Sequence, residues 1–241
     1  SGKKKVAPGC TARCWTCNTG RPSDRNIARA AAAMEQLDRR LVDRTAALVK
    51  LFAPPFDKCA ADPGYIKGYL PGVRENGGQY THAAVWAAIA FARLGDRARA
   101  WELLGLINPV RHSDNPAGCA VYKVEPYVMA GDVYSVGANA GRGGWTWYTG
   151  SAAWMYQLLV TDLLGLSLRV DRLFFRPCLP ADWGSFKMHY RYRETFHHIA
   201  VTRTGPGDAV LSVTADGVER ADHCVPLVDD RAEHSAEIKI G

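Results

Sequence analysis

Apolar residues follow a helical period over the first part of this chain and an alternating period over the last part. Apolar positions keep helical spacing from Ser23, a typical N-cap residue, to about residue 43. Residues 80–94 are apolar on nearly every side, which predicts a buried helix. Gly95 ends this helix and Asp96 caps a second, amphipathic one, so an antiparallel helix hairpin is predicted.

The remaining pattern predicts further helices and then a block of strands. A short helix is expected after the Glu125-Pro126-Tyr127 turn, and an apolar helical run covers residues 152–164 before Gly165. Beyond Leu166 the period becomes two. The strands are expected at residues 173–175, 186–193, 198–204, 209–215 and 236–240, with turn residues at Asp216-Gly217 and Asp229-Asp230.

Helices followed by strands predict an α+β fold with a boundary near residue 167. We expect an irregular N-terminal arm at residues 1–23, a helical domain at residues 24–166, and a C-terminal domain at residues 167–241. The last domain has about the size of a small β-sandwich.

Composition excludes several classes of protein. The chain has 241 residues, of which 47% are hydrophobic and 22% charged, as in an ordinary globular protein. The net charge is +6, but Lys and Arg are scattered apart from the run at residues 3–5, so no nucleic-acid partner is expected. No apolar run is long enough to span a bilayer, and no signal peptide is recognisable. Seven cysteines without a paired framework favour a reducing, cytoplasmic location.

Three of the cysteines, Cys10, Cys14 and Cys17, have the spacing with which radical enzymes hold an iron–sulfur cluster. Such enzymes continue into repeated strand–helix units, and the pattern after these residues predicts none. We therefore interpret them as incidental thiols in an irregular arm and expect neither a metal nor an organic cofactor.

The segment at residues 141–151, Gly-Arg-Gly-Gly-Trp-Thr-Trp-Tyr-Thr-Gly-Ser, carries the most suggestive chemistry. Thr149 and Gly150 open the last apolar helix, where unpaired backbone N–H groups and the positive end of the helix dipole attract anions. Trp145, Trp147 and Tyr148 offer flat amphipathic faces on which sugar rings or bases stack. Phosphate beside sugar is the chemistry that this combination favours.

Several motifs together resemble the inverting disaccharide phosphorylases of glycoside hydrolase family 94, and most of all the C-terminal region of its cyclic β-1,2-glucan synthases. These motifs lie at residues 65–69 (Tyr-Ile-Lys-Gly-Tyr), 72–82 (Gly-Val-Arg-Glu-Asn-Gly-Gly-Gln-Tyr-Thr-His), 122–127, 141–156, 177–183 and 225–230. The resemblance covers residues 24–241 and implies the late portion of an (α/α)6 barrel followed by a β-sandwich.

The resemblance also implies a reaction. Inorganic phosphate, the co-substrate, attacks the anomeric carbon of a β-glucan or disaccharide from the face opposite the leaving sugar. A carboxylic acid protonates the departing oxygen, and a sugar 1-phosphate with inverted configuration is released. Since phosphate is already an anionic nucleophile, no second carboxylate is needed to activate it.

The same resemblance assigns residues to the site. His82, Thr149 and Gly150 are implied to bind phosphate; Tyr69, Arg74, Glu75, Glu125, Trp145 and Trp147 are implied to bind sugar. Each has a structural alternative. His82 is then a hydrogen-bonded histidine in a buried helix, Thr149 and Gly150 cap a helix, and Arg74 and Glu75 are a solvated pair. The aromatic residues are then ordinary core side chains.

The family's general acid, an aspartate in an Asp-Trp-Asn-Asp-like motif, has no match here, so no catalytic residue is assigned. We expect a C-terminal fragment of a phosphorylase that is inactive alone. The alternative is a non-catalytic carbohydrate-binding or regulatory module. The helix at residues 80–94 is expected to lack half its neighbours, which predicts exposed apolar surface and self-association, or a missing N-terminal half as partner.

Overall fold

Helices and large sheets occupy separate parts of the chain in the computed structural model, which describes residues 24–60, 62–147 and 149–241. The predicted N-terminal arm with Cys10, Cys14 and Cys17, and the aromatic residue Tyr148, lie outside the described residues. One compact unit ends at Leu158 and the other is Leu159–Gly241. The described chain is mixed helix and strand, as expected for the predicted α+β class.

The described residues of the first unit form six α-helices and two short strand pairs. The helices are α1 (Asp24–Leu41), α2 (Thr81–Leu94), α3 (Arg97–Ile107), α4 (Pro109–His112), α5 (Pro116–Tyr122) and α6 (Thr149–Gln157). The strands are β1 (Val42–Asp43) paired with β2 (Leu48–Val49), and β3 (Gln79–Tyr80) paired with β4 (Asp132–Val133). Short 3-10 turns lie at Gly64–Gly68 and Gly137–Asn139.

The helix hairpin formed by α2 and α3 follows the prediction. Gly95 ends α2 in the left-handed region at φ 82°, which glycine adopts without a Cβ clash. The Asp96 side chain then caps α3 by accepting a hydrogen bond from the Arg99 N–H at 3.1 Å.

The expectation that α2 would be left uncovered is wrong. Ten of its fourteen residues are buried, because α1, α3, α6 and β3 of the same unit pack around it. Exposed large apolar side chains of this unit lie mainly outside the helix, for example at Tyr65, Tyr127 and Trp147. The expectation of self-association rested on an uncovered α2, so this helix no longer supports it.

Two further details differ from the sequence pattern. No α-helix lies between Glu125 and α6 in the described residues, where the only helical segment is the 3-10 turn at Gly137–Asn139. Residues 125–128 form a turn closed by the Val128 N–H and the Glu125 carbonyl at 3.1 Å. The segment that follows contains β4, which pairs with β3. The last helix opens at Thr149, as expected, but after Gln157 it continues as a π-helix at Leu158–Leu163.

The second unit contains a five-stranded sheet and a three-stranded sheet. The strands are β5 (Leu166–Arg169), β6 (Arg172–Phe175), β7 (Ser185–Tyr192), β8 (Thr195–Arg203), β9 (Val210–Ala215), β10 (Val218–Glu219), β11 (Cys224–Pro226) and β12 (Glu233–Ile240). The strand orders are β10-β9-β12-β8-β7 and β11-β6-β5, and pairing is antiparallel except between β12 and β8, which are parallel. Both sheets contribute to one apolar cluster, which includes Leu173 and Phe175 from one and Ile199, Val213 and Ile238 from the other.

All five predicted strands overlap an observed strand, and Asp216-Gly217 forms the turn between β9 and β10 with positive φ at both residues. The pattern missed β5, β10 and β11, which have two to four residues each and are too short to establish an alternating period. None of the helices in the described ranges is long and apolar enough to cross a lipid bilayer.

A histidine pair connects β8 and β12 in the second unit. His234 donates from Nδ1 to Asp216 Oδ2 at 2.7 Å, and its Nε2 lies 3.1 Å from Asp230 Oδ1. These two hydrogen bonds, the one to Asp216 more strongly, raise the pKa of His234 above its ordinary value. His234 stacks on the buried His197 with 5.0 Å between ring centroids, and burial lowers the pKa of His197.

We predict that His234→Gln weakens the second unit in a pH-dependent way. Because the folded-state pKa of His234 lies above 6.5, its stabilising charge is fully present below pH 6.5 and is lost as the pH rises through the folded-state pKa. The difference in free energy of unfolding between wild type and variant should therefore be largest below pH 6.5. Urea unfolding across this range measures it, with the exposed His223→Gln as control. A pH-independent difference would contradict the prediction.

Candidate functional site

His82 sits in the first turn of α2, at a position fixed by the backbone on both sides. The strand pair β3–β4 ends directly before the helix, with Tyr80 opposite Asp132. The Thr81 N–H then donates to the Gly131 carbonyl at 3.0 Å. The start of α2 is therefore tied to the segment that leads towards α6.

Three aromatic rings pack α2 against α6. The His82 ring lies 4.5 Å from that of Trp86 and 5.6 Å from that of Trp154, measured between centroids, and the two indoles are 5.4 Å apart. This contact brings the N-terminal turns of the two helices together. A Cβ atom placed on Gly150 would lie 4.0 Å from His82 Nδ1.

The surroundings of His82 favour the neutral imidazole. Burial lowers the pKa of His82, and its Nε2 is buried without a hydrogen-bond partner among the described residues. The alternative in which His82 is a fully hydrogen-bonded core histidine therefore does not describe the structure. Thr149 and Gly150 are exposed at the start of α6, where backbone N–H groups attract anions. The arrangement can hold an anion between an imidazole and a helix N-terminus.

A second group of residues forms a cationic aromatic stack. The Arg74 guanidinium carbon lies 3.0 Å from the centroid of the Trp145 ring and 5.0 Å from that of Tyr69. Arg74 itself has a left-handed backbone at φ 50°. Trp145 is 46% exposed, so it is not an ordinary core residue, and Arg74 is half-buried rather than fully solvated. The structure brings Tyr69, Arg74 and Trp145 together.

Asn76, which is completely buried, holds the loop that carries Tyr69 and Arg74. Its Nδ2 donates to the Tyr69 carbonyl at 2.8 Å and to the Phe56 carbonyl at 3.1 Å, while its Oδ1 accepts from the Phe56 N–H at 2.7 Å. Asn76 was part of a motif in the sequence but was not chosen as a site residue. Its role depends on backbone groups up to twenty residues away, which spacing does not reveal.

The carboxylates of Glu75 and Asp132 lie in this region as well. Glu75 is half-buried, and its Oε2 has no hydrogen-bond partner among the described residues. Asp132 was missed by the sequence analysis because it follows an apolar segment with no recognisable pattern of site residues. It is 3% exposed, and burial raises its pKa above the ordinary value.

Glu125 and Trp147 form a pair of their own. Trp147 Nε1 donates to Glu125 Oε1 at 3.0 Å. A hydrogen bond from its own backbone N–H, followed by that of Trp147, lowers the pKa of Glu125. Trp147 is 68% exposed, so the core alternative is wrong for this residue, and Glu125 follows α5 rather than starting a helix. In the described ranges, no group of three or more His, Cys, Asp and Glu side chains could hold a metal ion.

Known proteins share this helical unit. The model of the glycosyl hydrolase 94 superfamily catalytic domain matches residues 11–165. The chain is 46% identical to the cyclic beta-(1,2)-glucan synthase NdvB of Rhizobium meliloti over 83% of the chain and 7% of that protein. It is 28% identical to solabiose phosphorylase of Paenibacillus borealis over 87% of the chain and 27% of the relative. It is 31% identical to N,N'-diacetylchitobiose phosphorylase of Vibrio furnissii over 69% of the chain and 21% of the relative.

The chain belongs to the glycosyl hydrolase 94 superfamily, and the predicted resemblance is confirmed. It spans between 7% and 27% of the length of these three relatives.

We predict that Asn76→Ala destabilises the first unit and loosens the platform loop. The substitution leaves part-buried backbone groups of Phe56 and Tyr69 without their partner, which costs up to about 1–3 kcal/mol per group. Thermal unfolding should show a clearly lower midpoint than that of wild type. Asn139→Ala, at an exposed position, is the control and should unfold like wild type. Equal midpoints for the two variants would contradict the prediction.

Proposed function

We propose that this chain forms the phosphate side and part of the sugar side of an inverting glycoside phosphorylase site that acts on β-linked glucosides. One observation carries the proposal: the His82 imidazole lies beside Gly150 at the start of α6. Membership in the glycosyl hydrolase 94 superfamily supports it, as do relatives named for phosphorylase activity.

The same proposal includes the architecture. We take α1–α6 to be the late portion of an (α/α)6 barrel and the strands of the second unit to be a β-sandwich. The burial of α2 on nearly every side is typical of a helix inside such a barrel. The apolar cluster shared by the two sheets of the second unit is typical of a sandwich core.

Each residue has a defined chemical role in this site. A neutral His82 donates one N–H to phosphate, Thr149 contributes its hydroxyl, and Gly150 contributes its backbone N–H near the positive end of the α6 dipole. Phosphate held in this way is already positioned to attack an anomeric carbon. The Tyr69–Arg74–Trp145 stack offers aromatic faces and a cation to the sugar rings.

The proton for the leaving oxygen comes from elsewhere in this proposal. The sequence of this chain contains no Asp-Trp-Asn-Asp-like motif, so we expect the chain on its own to bind ligands without turnover. Inorganic phosphate is the co-substrate, and no other cofactor is invoked. The 46% identity to a cyclic beta-(1,2)-glucan synthase makes β-1,2-linked glucose oligosaccharides the first sugars to test.

Phosphate binding provides the direct test. Titration calorimetry with inorganic phosphate should give weak binding to wild type and an affinity at least ~10-fold lower for His82→Ala and Gly150→Ala. His82→Ala removes the imidazole donor, and Gly150→Ala fills the space beside it with a methyl group. Gly150 has an ordinary φ, and an added methyl group meets only His82 at 4.0 Å, so Gly150→Ala should fold normally. Loss of phosphate binding with an unchanged unfolding midpoint is the expected signature for Gly150→Ala.

Matched controls separate the site from general effects. Gly184→Ala adds a methyl group in open space, and His189→Ala removes an exposed histidine of the second unit; both should bind phosphate like wild type. Phosphate affinity that is equal in His82→Ala and wild type would refute the proposed cradle. Sugar binding that is retained without any phosphate binding would instead favour a non-catalytic carbohydrate-binding module. Release of glucose 1-phosphate would contradict the expectation that the acid lies elsewhere.

A further inference from the structure

The buried carboxylate of Asp132 has contacts that its place in a two-residue strand does not require. In β4 it lies opposite Tyr80, and its backbone carbonyl accepts a hydrogen bond from the Gly144 N–H at 2.8 Å. The residue is only 3% exposed. A carboxylate in such a place is costly unless it is well hydrogen-bonded.

Asp132 lies beside the two backbone segments that carry the cationic stack. The Trp145 N–H donates to Oδ1 at 3.1 Å. Arg74, through its backbone N–H and its positive charge, lowers the pKa of the same carboxylate, so it too lies close to Asp132. One side chain therefore connects the loop that bears the guanidinium with the segment that bears the indole on which the guanidinium lies.

Gly144 leaves the space that the Asp132 carboxylate occupies. A Cβ atom on Gly144 would overlap the Asp132 carboxylate, so only glycine leaves room for the side chain here. The neighbouring charges are Arg74 and Glu75, of which Glu75 disfavours ionisation of Asp132. Oδ2 of Asp132 has no hydrogen-bond partner among the described residues. The hydrogen bonds that the carboxylate makes therefore do not by themselves explain why it is buried.

We propose that Asp132 is a positioning residue that fixes the Arg74–Trp145 stack in the geometry that receives a sugar ring. The inference rests on the proposed function, because it assigns the stack to sugar. Asp132 does not itself touch the ligand, since its carboxylate is enclosed. Its loss should therefore weaken sugar binding while leaving the His82–Gly150 anion cradle intact.

Asp132→Asn tests this role with little change in volume. The variant keeps one acceptor oxygen but loses the second acceptor and the charge opposite Arg74. Calorimetry with the β-1,2-linked glucose disaccharide should give an affinity about tenfold lower than that of wild type. Affinity for inorganic phosphate should stay at the wild-type value. Asp96→Asn is the matched control, because Asp96 also accepts a backbone N–H but lies at the α3 cap.

Gly144→Ala perturbs the same contact from the other side, with the carboxylate still present. It should also lower sugar affinity and spare phosphate affinity. In an Asp132→Ala background the added methyl group has room, so Gly144→Ala should then lower the unfolding midpoint much less than it does in wild type. This cycle remains informative if Asp132→Asn alone folds poorly.

The outcomes are distinct. Wild-type sugar affinity in both Asp132→Asn and Gly144→Ala would overturn the positioning role. An equal loss of sugar and phosphate binding would also overturn it, because it would indicate that Asp132 is only a structural residue. Additive effects of Asp132→Ala and Gly144→Ala on the unfolding midpoint would also overturn it. Failure of wild type to bind either the disaccharide or phosphate would instead overturn the proposed function on which the inference rests.

Discussion

The contact between the starts of α2 and α6 is the constraint on which the rest of the site depends. The rings of His82, Trp86 and Trp154 fill the space between the two helices and set the distance between their N-terminal turns. Two helix dipoles then direct their positive ends to one region, with a polar imidazole between them. Such an arrangement favours negative charge, which is the basis of the proposed phosphate site.

Buried polar residues support this region far more than any other part of the first unit. Six of its described residues are polar and buried, and all lie in or next to the segments that carry the site: Asn76, Gln79, Thr81, Asp132, Ser135 and Ser151. Gln79 illustrates their use, since it accepts from the Val49 N–H at 2.9 Å and donates to Thr81 Oγ1 at 3.2 Å. Buried polar groups of this kind define one geometry, because each alternative leaves donors or acceptors unpaired.

The sequence predicted what depends on local rules and on motifs. Gly95 and Asp96 fixed the boundary between α2 and α3, since a left-handed glycine and a capping carboxylate act within a few residues. Motif resemblance brought His82 and Gly150 to one site, although they are far apart in the chain. Nothing local could reveal Asp132, whose partners Arg74 and Trp145 come from two other segments. The burial of α2 was misjudged for the same reason, because its cover comes from non-adjacent helices.

Two candidate sugar-binding residues of the first unit, Arg74 and Trp147, have a left-handed backbone. Among the described residues of the first unit, four non-glycine residues have a positive φ: Ala47, Arg74, Lys123 and Trp147. Two of these, Arg74 and Trp147, carry candidate sugar-binding side chains. A left-handed backbone costs about 1–2 kcal/mol for such residues, so it persists only where surrounding contacts over-determine it. The hydrogen bonds of Asn76 to Tyr69 and of Asp132 to Trp145 hold the residues that contact the Arg74 guanidinium, so buried polar side chains support this half-exposed stack.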